Sequence, residues 1–199
     1  MSLRGGRSPT KQSPHNLEIA SGGKTPPSQQ HISYMPQSDQ GVTKDRYTVI
    51  PRTAIFLRRG ESYLLLKGAP TKRLWATHYN GLGGHVERGE DVLSAAKREL
   101  VEETGLTADL WLCGTLIVDA GELGIALYLF SGECGEGEAQ PSQEGLAEWI
   151  PYEQVGELPI VEDLLLLLEK IHSRRQGDSP FCARSYYGAD GKLVVEFAE

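Results

Sequence analysis

Large apolar residues are scattered and aperiodic over residues 1–45, and from residue 47 onward they recur with the spacings of regular structure. Residues 47–57 and 63–67 are β-branched, aromatic or leucine-rich runs flanking Arg59-Gly60-Glu61, the pattern of two strands joined by a short turn. Pro51 has no N–H to give to a sheet and marks a bulge or an edge position. Residues 110–118 and 125–131 predict two more strands, separated by the glycine-bounded stretch 120–124. After a polar Gly/Glu/Pro loop at 134–144, Trp149-Ile150 closes a further short strand. Residues 181–187 and 192–197 flank Gly188-Ala189-Asp190-Gly191, a hairpin signature.

Two stretches carry a helical period instead. Residues 160–173 predict a helix with core leucines, Glu162 and Asp163 in its first turn, and Arg174 and Arg175 just past its end. The other helix opens after Gly89-Glu90-Asp91 and stops at Gly105, the residue type that most readily takes the left-handed conformation ending a helix. At about 100° per residue, Val92, Leu93, Ala96 and Leu100 form one stripe of it, and Glu99, Glu102 and Glu103 form a second stripe alongside. Strands interleaved with two helices predict an α/β sandwich, with no internal repeat.

The acidic stripe is the first hint of chemistry. Like charges three or four residues apart cost a helix roughly 0.2–0.5 kcal/mol per pair, which a solvated acidic face tolerates. Glu103, however, falls at the edge of the apolar stripe, where an uncompensated charge is costly. Just upstream, Asn80-Gly81-Leu82-Gly83-Gly84 has three glycines in four residues, which lets a backbone pass close to a ligand or offer bare carbonyls. Hard divalent cations take carboxylate and carbonyl oxygens, and Mg²⁺ binds through a few carboxylates plus substrate phosphates. A cation turns the mutual repulsion into attraction.

Composition narrows the field. The 199 residues suffice for one core. Residues 1–45 are rich in Ser, Pro, Gln and Gly and cannot bury enough surface to offset their ordering entropy, so they are expected to form a disordered tail before a domain at 46–199. The chain's net charge of −7 comes from that domain, where 15 basic and 24 acidic residues leave an excess of nine negative charges against two positive ones in residues 1–45, and it argues against nucleic acid as a partner. Three well-separated cysteines offer neither a disulfide framework nor a zinc pattern, and fit a reducing, cytoplasmic setting. No signal-peptide pattern and no apolar run of membrane-spanning length is present, so a soluble monomer or homodimer without membrane contact is expected. His78, His85 and His172 lack partners at metal spacing, the glycine loop has no Gly-Lys-Ser/Thr after it, and Trp75, Trp111 and Trp149 are expected in or beside the core.

Gly84, five residues, Glu90, seven residues, then Arg98-Glu99-Leu100-Val101-Glu102-Glu103-Thr104-Gly105-Leu106 resembles the box of the Nudix hydrolase family at every fixed position. The resemblance implies an α/β/α sandwich with a mixed β-sheet between helices, and a metal-dependent enzyme that cleaves phosphoanhydrides of nucleoside diphosphate derivatives. It implies Mg²⁺, or Mn²⁺ in its place, on Glu102, Glu103 and the carbonyl of Gly84. Glu99 is then a further ligand or the base that activates water, and Arg98 with Glu90 orients it.

Outside the box the order of features is similar, more loosely, to oxidised-purine nucleoside triphosphate diphosphatases of the MutT type. That likeness implies Glu144 as an additional metal-site carboxylate, Asn80 as a reader of the purine, and Asp163 or Glu162 as the acid bonding the base edge. Where the animal enzymes stack a tryptophan on the base, this chain has Val161. Lys67, at a strand end, is a candidate phosphate contact. Hydrolysis of a nucleoside triphosphate such as 8-oxo-dGTP to monophosphate and pyrophosphate is the leading expectation. ADP-ribose or a dinucleoside polyphosphate is the alternative substrate, and a catalytically silent nucleotide sensor is the non-enzymatic one.

Overall fold

The computed structural model describes residues 45–198, so the tail expected at 1–45 lies, but for Asp45, outside the described residues. Eight strands form one mixed sheet: β1 (Thr48–Arg59), β2 (Ser62–Gly68), β3 (Tyr79–Asn80), β4 (Trp111–Asp119), β5 (Leu123–Glu133), β6 (Gly145–Pro151), β7 (Phe181–Tyr187) and β8 (Leu193–Phe197). Helix α1 spans Val92–Thr104 and α2 spans Leu164–His172, with a 3₁₀ helix at Tyr152–Glu157. The strand order is β3-β2-β1-β5-β4-β7-β8, with β6 on the other edge of β2. β1–β5 and β4–β7 run parallel and the remaining pairs antiparallel.

Strand alternation sorts the core into two layers. Ala54, Phe56, Tyr63, Leu65, Leu116 and Leu129 face one side and pack with Val155 of the 3₁₀ helix and Leu164, Leu167, Leu168 and Ile171 of α2. Ile55, Leu57, Leu64, Leu66 and Phe130 face the other and pack with Ala96 and Leu100 of α1. The sheet is thus covered by a helix on each face, the expected α/β/α sandwich.

The opening that matters lies beside β1. Only Leu57–Arg59 of β1 pairs with β2 (Leu57↔Leu64 to Arg59↔Ser62), and β3 takes the same edge of β2 further on (Leu66↔Asn80). Into the gap comes the glycine segment. Ile55 N donates to the Leu82 carbonyl at 2.7 Å, Leu82 N returns to Ile55 at 3.2 Å, and Thr53 N donates to the Gly84 carbonyl at 2.8 Å. Pro51 lies where β1 has a strand, β5, on only one side, and its carbonyl accepts from Val86 N.

Helix α1 forms where expected. Asp91 is its N-cap and accepts from Leu93 N and Ser94 N, both at 2.9 Å. Gly105 closes it at φ 72°. Helix α2 starts four residues later than the expected 160. The preceding backbone is already committed to β3: Tyr79 N donates to the Pro159 carbonyl and Val161 N to the Tyr79 carbonyl. Glu162 and Asp163 are therefore not first-turn residues, and the Asp163 side chain makes no capping bond. β3 and the 3₁₀ helix were not foreseen. Among the described residues no helix is long and apolar enough to cross a membrane.

The two faces of α2 differ in what they hold. Leu168→Ala should destabilise by about 2–5 kcal/mol, because Leu168 is fully buried and its loss leaves a cavity, whereas exposed Leu166 replaced by Ala should cost less than about 1 kcal/mol. Denaturant midpoints of the two variants check this.

Candidate active site

Arg98 organises the acidic face of α1. Its Nε and Nη2 donate to the two carboxylate oxygens of Glu90 at 2.7 and 3.0 Å, a bidentate pair. Its Nη1 donates to Glu99 at 2.8 Å and to Glu102 at 3.0 Å, and Nη2 also reaches the His85 carbonyl at 3.0 Å. One guanidinium thereby holds three carboxylates and ties the helix to the loop before it. The Arg98 bond and the Glu87 N–H keep the Glu90 carboxyl below its usual range.

Glu103 lies on the other flank, 4% exposed, more deeply buried than the partial shelter that its position at the edge of the apolar stripe predicts. Its carboxylate accepts from Gly83 N at 2.7 Å. Burial pushes its pKa up to about 7 against the pull of that N–H, and Glu99 and Glu144 add repulsion that Lys72 offsets. Gly84 is glycine for a steric reason: a Cβ there would run into the Glu99 carboxylate. At Gly83, φ +125° and the Thr53 carbonyl exclude a side chain as well.

Glu144, on the loop between β5 and β6, joins the group from across the cleft, paired with Lys72 at 2.6 Å. Glu99, Glu102, Glu103, Glu144, Gly84, Lys72 and Arg52 line this cleft of about 830 Å³. The donor set, carboxylates crowded beside a bare glycine backbone, fits a hard divalent cation. Among the described residues no three of these acids converge on one point. Each is turned to a protein partner: Glu99 and Glu102 to Arg98, Glu103 to Gly83 N, Glu144 to Lys72.

A second, more apolar pocket of about 480 Å³ opens on the α2 face of β1. Ala54, Phe56, Leu127, Val161 and Leu167 form its walls, and Asn80, Glu162, Asp163 and Tyr187 bring polar groups to it. Asn80 lines the pocket and also acts as a turn former, its side chain accepting from Gly81 N at 2.7 Å. Burial pushes the Asp163 carboxyl up, with Glu162 adding repulsion. Glu162 accepts from the Tyr187 hydroxyl at 2.6 Å, and that bond raises the phenol. Lys67 lines neither cavity; its ammonium lies 5.5 Å from the centre of the ring of Tyr79, whose hydroxyl donates to the Glu148 carboxylate.

Sequence reasoning missed Lys72, Arg52, Tyr187 and Trp75 as cavity residues. Trp75 corrects an expectation outright, since it is 46% exposed and lines the apolar pocket beside Leu74. Its φ of 59° is rare for a bulky side chain, and the surrounding backbone holds it there: His78 N donates to its carbonyl, and Thr77 N to Gly68. Trp111 and Trp149 do pack against the core.

An acid-lined cleft is thus anchored on a loop-helix-loop and laid against a mixed sheet between two helices. The chain belongs to the NUDIX domain family, whose model matches residues 49–171. It is 34% identical over 114 residues to an oxidized purine nucleoside triphosphate hydrolase of Danio rerio, covering 53% of this chain and 73% of that protein. The protein of the same name from Mus musculus is 34% identical over 95 residues, covering 46% of this chain and 60% of that one. The crystal structure of a MutT protein from Bacillus halodurans superposes with a TM-score of 0.62 at 25% identity, covering 75% of this chain and 97% of that one.

The raised Asp163 carboxyl makes a pH-dependent forecast. A carboxyl with a raised folded pKa costs nothing below its ordinary value of 3.8, and its cost grows as pH rises and the buried group must ionise. Asp163→Asn should therefore melt higher than the parent at pH 7, with the gap closing toward pH 3; thermal unfolding across that range measures it.

Proposed function

We propose that this chain is a divalent-cation-dependent nucleoside triphosphate pyrophosphohydrolase that takes an oxidised purine nucleotide such as 8-oxo-dGTP and releases the monophosphate and pyrophosphate. The observation carrying this reading is that the carboxylate cleft and the apolar pocket meet at Gly83, so a phosphate chain and a flat base can be held at once. The names of the Danio rerio and Mus musculus relatives support the substrate class.

Glu102, Glu103, Glu144 and the Gly84 carbonyl, with Glu99, are the groups that would hold Mg²⁺ or Mn²⁺. Bound there, the cation supplies charge stabilisation for phosphate oxygens. The chain's own residues do the rest. Glu99, fixed by Arg98 and wedged against Gly84, is the carboxylate held in position to take the proton from a water attacking the β-phosphorus. Glu90 acts through Arg98 and positions it. Lys72, once released from Glu144, offers its ammonium to the phosphates in the same cleft. Asn80 and Asp163 present an amide and a carboxyl to the edge of a base, while Trp75 and Val161 shield its faces from water.

Ordinary and oxidised nucleoside triphosphates, ADP-ribose and dinucleoside polyphosphates incubated with protein and Mg²⁺ test the proposal by product mass. The expected result is pyrophosphate from an oxidised purine triphosphate, abolished by EDTA and reduced at least about a hundredfold by Glu102→Gln. Orthophosphate alone, preference for ADP-ribose, or turnover indifferent to EDTA and to the substitution would contradict it.

A further inference from the structure

Arg52 and Gly83 alone, among the residues lining the described cavities, border the acidic cleft, the apolar pocket and a third cavity of about 320 Å³ that shares residues with both. Gly83 has no side chain, so Arg52 carries the only charge common to all three. Resting on the nucleotide reading above, we propose that the Arg52 guanidinium grips the phosphate nearest the nucleoside and so sets the register of substrate between the pocket and the carboxylates.

Backbone pairing fixes where this side chain starts. Arg52 sits opposite Leu127 of β5 on one side and bridges His85 on the other, which places it next to the Thr53–Gly84 bonds at the rim of the cleft. By strand alternation it shares a face with Ala54 and Phe56, both walls of the apolar pocket.

Its bonding state separates it from the other cations of the site. Arg98 is spent on Glu90, Glu99 and Glu102, and Lys72 on Glu144. The Nε of Arg52 is buried and meets no hydrogen-bond partner, and among the described residues no carboxylate is paired with it. In a domain with an excess of acids, and in the cleft where four of them gather, an unpaired guanidinium is conspicuous. A buried donor without a partner is unfavourable until something supplies an acceptor. A phosphate does so in the most favourable geometry, because the planar guanidinium fork matches two of its oxygens. A base in the apolar pocket and a leaving group among the carboxylates leave the first phosphate as the part of the substrate spanning the junction.

Calorimetric titration in EDTA, with 8-oxo-dGMP and with the same nucleoside lacking phosphate, tests this on wild type, Arg52→Met and Arg52→Lys. Arg52→Met should weaken the monophosphate about 10- to 100-fold while changing nucleoside affinity less than about twofold, and Arg52→Lys should fall between, keeping the charge and losing the fork. In turnover, KM for the triphosphate should rise by the same factor, with a smaller change in kcat. Equal weakening of both compounds, or unchanged monophosphate affinity and KM in folded variants, overturns the assignment of Arg52 while leaving the nucleotide reading intact. Wild-type protein that binds neither compound overturns both together.

Discussion

Electrostatic repulsion confined to a small volume governs this molecule. Glu99, Glu102, Glu103 and Glu144 face one cleft, and the fold must hold them together although each would gain by moving into bulk water. Arg98 takes up the repulsion on one flank of α1, the Gly83 N–H steadies buried Glu103 on the other, and Lys72 restrains Glu144 from the far wall. The arrangement is held by these protein partners alone, and on the proposed function a divalent cation would relieve the repulsion further.

That constraint explains features that otherwise look unrelated. The glycine segment must run close to β1 to bring its backbone under the acids, so Gly83 and Gly84 cannot carry side chains, and β2 must give up its pairing with β1 after three residues to leave room. The same gap admits β3, which positions Asn80, and β3 in turn holds the backbone of 159–161 extended, delaying α2 and leaving Asp163 beside the apolar pocket. A single divergence between two strands therefore creates both the cleft and the pocket, and sets them side by side.

Much of this was legible in the chain. Helix α1 could be read to its caps, because Asp91, the apolar stripe and Gly105 are all local signals. The hairpins follow from spacing alone, and so does some shelter for Glu103, although not the full depth of its burial. The rest depends on contacts distant in sequence. β3 is two residues long and exists only because β2 is there to pair with it, so no period announces it. α2 starts later than its sequence period predicts because backbone bonds to Tyr79 outweigh the helical pattern of 160–163. The residue type of Trp75 points to the core, whereas its left-handed backbone is imposed by hydrogen bonds across its own loop. Lys72 and Arg52 are ordinary basic residues until the sheet brings them to the cleft, whereas Lys67, equally basic, is carried away to the Tyr79 ring.

The most direct test of the governing repulsion needs no substrate. Thermal unfolding of wild type and Glu103→Gln is compared in EDTA and in Mg²⁺. If the acids repel one another and a cation relieves them, the substitution raises the midpoint in EDTA, since the amide can still accept from Gly83 N, and it removes most of the increment that Mg²⁺ gives the wild type. A variant that melts lower in EDTA and keeps the full Mg²⁺ increment would contradict the account.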